Sequence, residues 1–237
     1  MSMVLKAFLV ILLTPQITCN TPLSDYLWNS SEATRNEALV AKLIRQINDI
    51  TLDPSDFGAY SVQDAVYFFH VKKSLDTAAD RTEDEDLKAF LSERSKSYEK
   101  YFKEASGIWH INDPEGIVLG TACQNYVNHL KDVATTMDGY YLVVALTPCV
   151  RLWPWIGGQI GVQSKPFGVY TDWAKNNLSP DYKGYMKYEA VFNKAYLEQK
   201  ITQAESLNVY KTSMASEVAF FNTGPGPVAE SDRHDEL

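Results

Sequence analysis

From Glu32 to Phe221 the apolar residues recur at helical spacing. The two-residue alternation of a strand closed by turn residues is absent. A chain patterned this way has to bury helix against helix. Leu39, Val40, Leu43, Ile44 and Ile47 predict a helix over 32–49. Asp53 caps the next, with Pro54 at its first position, and Phe57, Tyr60, Asp64, Tyr67 and Phe68 lie along it. Thr82-Glu83-Asp84-Glu85 reads as a capping box opening a charged helix to about Ala105. Asp113-Pro114 opens another to about Met137, where Asp138-Gly139 breaks it. Tyr140 to Ile160 follows as an apolar helix, bent at Pro148 and Pro154. Ser179-Pro180 starts a helix to about Asn208, and Tyr210–Phe221 is the last. The economical reading is all-α: a single-domain bundle of about seven or eight helices. A chain of 237 residues, 45% hydrophobic, has enough apolar material for one good core.

Charge narrows the function. A net charge of −8 without any basic stripe argues against a nucleic-acid partner. No apolar run reaches the roughly 18 residues of a membrane span. The two ends read as addresses. Lys6 precedes the apolar run from Ala7 to Leu13, which Thr14-Pro15 stops, so residues 1–19 read as a secretory signal peptide. Residues 223–237 read as a flexible tail, with Gly224-Pro225-Gly226-Pro227 leading to His234-Asp235-Glu236-Leu237, an ER-retention signal. The chain is therefore expected in the ER lumen, with the retention receptor as a partner and residues 20–222 as the folded domain. Loss of Cys19 with the signal leaves Cys123 and Cys149, either as free thiols or as one bridge. Asn29 opens a glycosylation sequon, and Asn177 opens a second one followed by Pro180.

Several polar residues stand on otherwise apolar faces. Cys149 follows Pro148 inside an apolar run, where a thiol is either a small hydrophobe or a nucleophile. Asp64 shares a helix face with Tyr67, and an aspartate between Val62 and Val66 is costly unless it is paired or exposed. Tyr126 precedes His129 by one turn, and Glu217 lies beside Phe220 and Phe221. Taken singly, the acids read as surface residues and Tyr126 as packing.

As an ordered set they resemble the TenA / thiaminase II family, of the heme-oxygenase-like helical fold. The resemblance rests on Gln-Asp-x-x-Tyr at 63–67, Tyr-x-x-His at 126–129, Leu-x-Pro-Cys at 146–149, Tyr170-x-x-Trp173 and Glu-x-x-Phe-Phe at 217–221, and spans about residues 30–222. It implies a hydrolase that cleaves the exocyclic methylene substituent of a 4-aminopyrimidine, with no cofactor and no metal. By position, Cys149 is the implied nucleophile, Asp64 the acid that holds the aminopyrimidine, and Glu217 the proton carrier. Tyr67, Tyr126, Trp153, Asn177 and Phe221 are the implied pocket residues. A homo-oligomer is compatible with the resemblance. Trp153 and Asn177 stand where the family often places tyrosines, and Asn177 cannot both line a closed pocket and carry a glycan. Arg151 brings a cation near Cys149, either lowering the thiol pKa or pointing to solvent.

Heme and diiron oxidases share the fold class; none of His70, His110, His129 and His234 has a glutamate three residues before it, which argues against a diiron site, while heme held through one histidine stays open as an alternative. The alternative from another class is a non-catalytic luminal protein that binds a small aromatic ligand on the same fold. Fast alkylation of Cys149 near neutral pH is the expected mark of the enzyme.

Overall fold

The computed structural model describes residues 21–223, so the expected signal peptide and retention tail lie outside the described residues. These residues form ten α-helices and one 3₁₀ turn at Gly168–Tyr170, with no strand among them. The helices are α1 (Leu23–Ser30), α2 (Glu32–Glu37), α3 (Lys42–Asn48), α4 (Pro54–Arg81), α5 (Glu85–Trp109), α6 (Thr121–Thr136), α7 (Gly139–Ile160), α8 (Thr171–Asn177), α9 (Tyr185–Leu197) and α10 (Gln203–Phe221). No described helix is long and apolar enough to cross a membrane.

The centre of the bundle is α7. Every residue from Gly139 to Pro148 is buried, and the helix touches α4, α5, α6, α8, α9 and α10. A helix that is apolar on all sides belongs inside a core. Asp138 caps it, accepting from the Tyr140 amide at 3.0 Å, and Gly161 ends it in the left-handed region. Both prolines sit inside the helix without interrupting it. Pro148 has no N–H to give the Val144 carbonyl, while Thr147 adds a bond to the Val143 carbonyl at 2.8 Å. The two long neighbours, α4 and α5, pair side by side, their starts capped by Asp53 and Asp84.

Several expected boundaries move, each for a tertiary reason. The helix expected over 32–49 is broken into α2 and α3, because the Lys42 amide is capped from afar by the Asn222 side chain at 2.9 Å. Val40, in the break, is exposed. The helix expected from Asp113 opens only at Thr121. Asp113 instead forms a local turn by accepting from the Glu115 amide, and Gln63 of α4 bonds the Val118 carbonyl and the Gly120 amide. Asp84, rather than the Thr82 box, caps α5 through the Leu87 amide at 3.1 Å. The stretch expected as one helix to Asn208 divides into α9 and α10, with Gln199 left-handed and Thr202 capping α10 through the Glu205 amide at 3.2 Å. Besides the split of α2 from α3, the two helices that the sequence did not mark are α1 and short α8, which brings the number among the described residues to ten. Cys123 and Cys149 are both free thiols, so no bridge joins them.

Candidate functional site

Five of the residues singled out in the sequence come together where α4, α6, α7 and α10 meet. Glu217 of α10 is 2% exposed, and its Oε1 accepts a hydrogen bond from the Tyr126 hydroxyl of α6 at 2.7 Å. The Tyr126 ring lies on the Tyr67 ring of α4, centroids 4.9 Å apart. Phe220 closes this side, with its centroid 6.2 Å from Tyr67 and 5.0 Å from Tyr60. Cys149 of α7 and Asp64 of α4 lie deep in the bundle yet keep part of their surface accessible. Both side chains are therefore surrounded by packed helices without being sealed off. Asp64 has no hydrogen-bond or ion-pair partner among the described residues.

Burial dominates the electrostatics. It lifts the Asp64 carboxyl from 3.8 to about 8, with the nearby Glu217 charge adding to the rise. Burial lifts Glu217 to about 7, against the opposing bond from Tyr126. The Cys149 thiol is pushed well above its usual range, first by burial and then by the charges of Glu217 and Asp64. The free protein therefore holds a protonated thiol beside a carboxyl pair that keeps at least one proton near neutral pH. Fast alkylation of the empty site, expected from the sequence, does not fit this environment. A cation entering between the carboxylates reverses the balance.

Trp153 and Phe221 form an adjoining group, centroids 5.1 Å apart, and Trp153 also meets Trp173 at 5.8 Å. Asn177 is not brought to the site. It is exposed at the end of α8, and its Nδ2 donates to the Trp173 carbonyl at 2.8 Å. The expectation that it lines the pocket is corrected by that outward position. Asn29 is exposed on α1.

Arg151 follows neither of its two expected courses. Its guanidinium stacks on Trp28 at 4.2 Å and pairs with Glu189 at 2.7 Å, only 17% of its side chain remaining exposed. Arg35 lies over the same indole at 4.2 Å, so Trp28 carries a cation from each arginine. The cluster fastens α1 to α7 and α9.

Tyr60 and Phe220 escaped the sequence reading as site residues. Tyr60 precedes Asp64 by four residues, and Phe220 follows Glu217 by three, so helical spacing alone puts each on the working face. A separate groove of about 450 Å³ lies between α6 and α10, lined by Ala122, Asn125, Lys211, Thr212, Ala215 and Ala219 among others. It offers none of the nucleophile and carboxylate chemistry of the inner site.

The helical bundle is of the heme-oxygenase-like class. Heme oxygenase-1 of Synechocystis sp. PCC6803, solved in complex with heme, is similar with a TM-score of 0.52, 16% identity and coverage of 85% of this chain and 91% of that one. The chain belongs to the TENA/THI-4/PQQC family, whose profile matches residues 42–224. A TenA family transcription regulator from Silicibacter sp. TM1040 is similar in structure, with a TM-score of 0.73, 17% identity and coverage of 86% of this chain and 97% of that one. In sequence the chain is 23% identical over 221 residues to the thiamine biosynthesis multifunctional protein ThiED of Corynebacterium efficiens. That match covers 88% of this chain, which spans only 29% of the curated relative's length.

Proposed function

We propose that this protein is a thiaminase II-type hydrolase acting on 4-aminopyrimidines that carry a leaving group on the exocyclic methylene. The observation that carries the reading is the convergence of Cys149, Glu217 and an unpartnered Asp64 beside the Tyr67–Tyr126 ring pair where α4, α6, α7 and α10 meet. A carboxylate set deep in the bundle with restricted access to water and no protein partner is poorly solvated, and an aminopyrimidine supplies an amino group and a protonated ring nitrogen to satisfy it. The aromatic rings of Tyr67, Tyr126 and Phe220 suit the faces of such a ring.

The chemistry follows from the proton inventory. Substrate arrives with positive charge, so Asp64 and Glu217 ionise against it. Ionised Glu217 takes the Cys149 proton as sulfur adds to the electron-poor ring, whose nitrogen is protonated. The pyrimidine then expels the amine or thiazolium carrying the bond pair of the methylene. Water adds at that carbon, giving up one proton, and loss of sulfur regenerates the thiol and the aromatic ring. The raised thiol pKa makes this activation dependent on substrate. It also favours one second reading, a luminal binder of small aromatic cations in which the thiol stays inert. We place the protein in the ER lumen on the strength of its amino-terminal apolar run and its terminal His-Asp-Glu-Leu.

The test is hydrolysis of thiamin and of aminomethyl-aminopyrimidine by residues 20–237, beside Cys149→Ser. The expected outcome is turnover by the parent and a loss of at least about 10³-fold in the variant. Binding without turnover in both proteins supports the binder.

A further inference from the structure

Tyr60 is 3% exposed, and its hydroxyl is buried without a hydrogen-bond partner among the described residues. An apolar core gains nothing from that oxygen, because phenylalanine fills the same volume without a stranded donor. Its position makes the oxygen meaningful. Tyr60, Asp64 and Tyr67 share one face of α4, at four- and three-residue spacing. Its ring packs on Phe220 at 5.0 Å, one turn beyond Glu217 on α10. The phenol is thereby fixed between the two helices that carry the carboxylates. The titratable groups whose charges reach it are Asp64 on its own helix, Glu217 on α10, Cys149 on α7 and Cys123 on α6. Asp64 in turn is coupled by charge to Glu217, Cys149, Cys123 and Tyr60. Around these groups Tyr60 is a hydroxyl donor with nothing yet to donate to, and Asp64 is an acceptor with nothing yet to accept from.

We infer that Tyr60 is a positioning residue that acts through Asp64: when ligand occupies the site, its hydroxyl donates to the Asp64 carboxylate and holds that group ionised and aimed at the ligand. The inference rests on Asp64 being the anchor proposed above. Below about pH 8 Asp64 of the empty site is mostly protonated and needs no donor. Ionisation on ligand entry creates the acceptor that Tyr60 lacks, so in that range the hydrogen bond belongs to the occupied state. It then adds to ligand affinity rather than to the stability of the free fold.

The experiment is calorimetric binding of aminomethyl-aminopyrimidine from about pH 5.5 to 9, with the parent protein, Tyr60→Phe and Asp64→Asn, alongside thermal denaturation of each without ligand. Binding that needs ionised Asp64 weakens as pH falls. Without the donor Asp64 is harder to ionise, so Tyr60→Phe is expected to move that limb upward by about one pH unit and to weaken binding about tenfold at neutral pH. Its Tm without ligand should be unchanged or higher, because the stranded hydroxyl is gone. Asp64→Asn should flatten the limb. A Tyr60→Phe binding curve that superimposes on the parent's overturns the inference, and a lowered Tm with that same curve assigns Tyr60 to packing. Absence of binding by the parent itself sinks the anchor role of Asp64 and this inference together. Parent binding with an unmoved limb sinks this inference alone.

Discussion

Replacing Asp64 by asparagine should stabilise the empty protein, and increasingly so as the pH rises. The folded state holds the Asp64 carboxyl at about 8, against 3.8 for a solvated one. Between those values the folded protein binds more protons than the unfolded chain, so its stability falls as pH increases through that window. At about 1.4 kcal/mol per pH unit, the span sets a ceiling of about 6 kcal/mol. The partial exposure of Asp64 and its coupling to Glu217 reduce what one substitution recovers, and an amide is still poorly solvated there. We expect Asp64→Asn to gain about 2 kcal/mol over the parent at pH 8 and almost nothing at pH 4. Urea denaturation across that range reads the difference directly. The gain should come with lost ligand binding. Parallel stability curves for the two proteins would show that Asp64 is as well solvated folded as unfolded, and the argument for a waiting anionic site would fail.

Tyr126→Phe removes the donor that restrains Glu217, so the acidic limb of turnover, set by ionisation of Glu217, should move upward, as a pH–rate profile would reveal. Arg151→Ala strips the partner from half-buried Glu189 and uncovers Trp28; a loss of about 2 kcal/mol is expected in denaturant titration. The pH dependence of Cys149 alkylation should be the same with and without that arginine. Cys123, buried and lifted to about 12, should resist alkylation of the folded protein at pH 8, as mass spectrometry of the labelled chain can check. Asn222→Ala uncaps α3 and should cost about 1 kcal/mol, lowering Tm by roughly 2–4 °C.

What was legible in the sequence follows the range of the forces involved. Asp53-Pro54 and the period of α4 are local signals, and both appear in the structure. The division of α2 from α3 is not local, since its cap comes from Asn222, 180 positions away. Likewise, Gln63 holds the segment before α6 in an irregular path from 55 and 57 positions away. The start of α10 was missed, the reading having run one helix through to Asn208, although Thr202-Gln203-Ala204-Glu205 carries the local spacing of an amino-terminal cap. At the site, residue type and order brought forward Cys149, Asp64, Glu217, Tyr67 and Tyr126, which the fold gathers. Tyr60 and Phe220 passed as ordinary aromatics, because a hydroxyl's lack of a partner becomes visible only after packing. Asn177 misled because alignment by spacing gives a position along α8 and says nothing about which way its side chain turns.

The clasp between Asn222 and α3 also orders events in time. Whatever forms first as the chain emerges, the amino-terminal helices cannot take their final arrangement until the closing turn of α10 arrives, 180 positions after Lys42. Synthesis from the amino terminus thus leaves α1 to α3 waiting until α4 to α10 have been made, their apolar faces uncovered meanwhile. Premature termination upstream of that turn would therefore damage the beginning of the protein as much as its end. A nascent chain of this kind has reason to engage folding helpers throughout its synthesis.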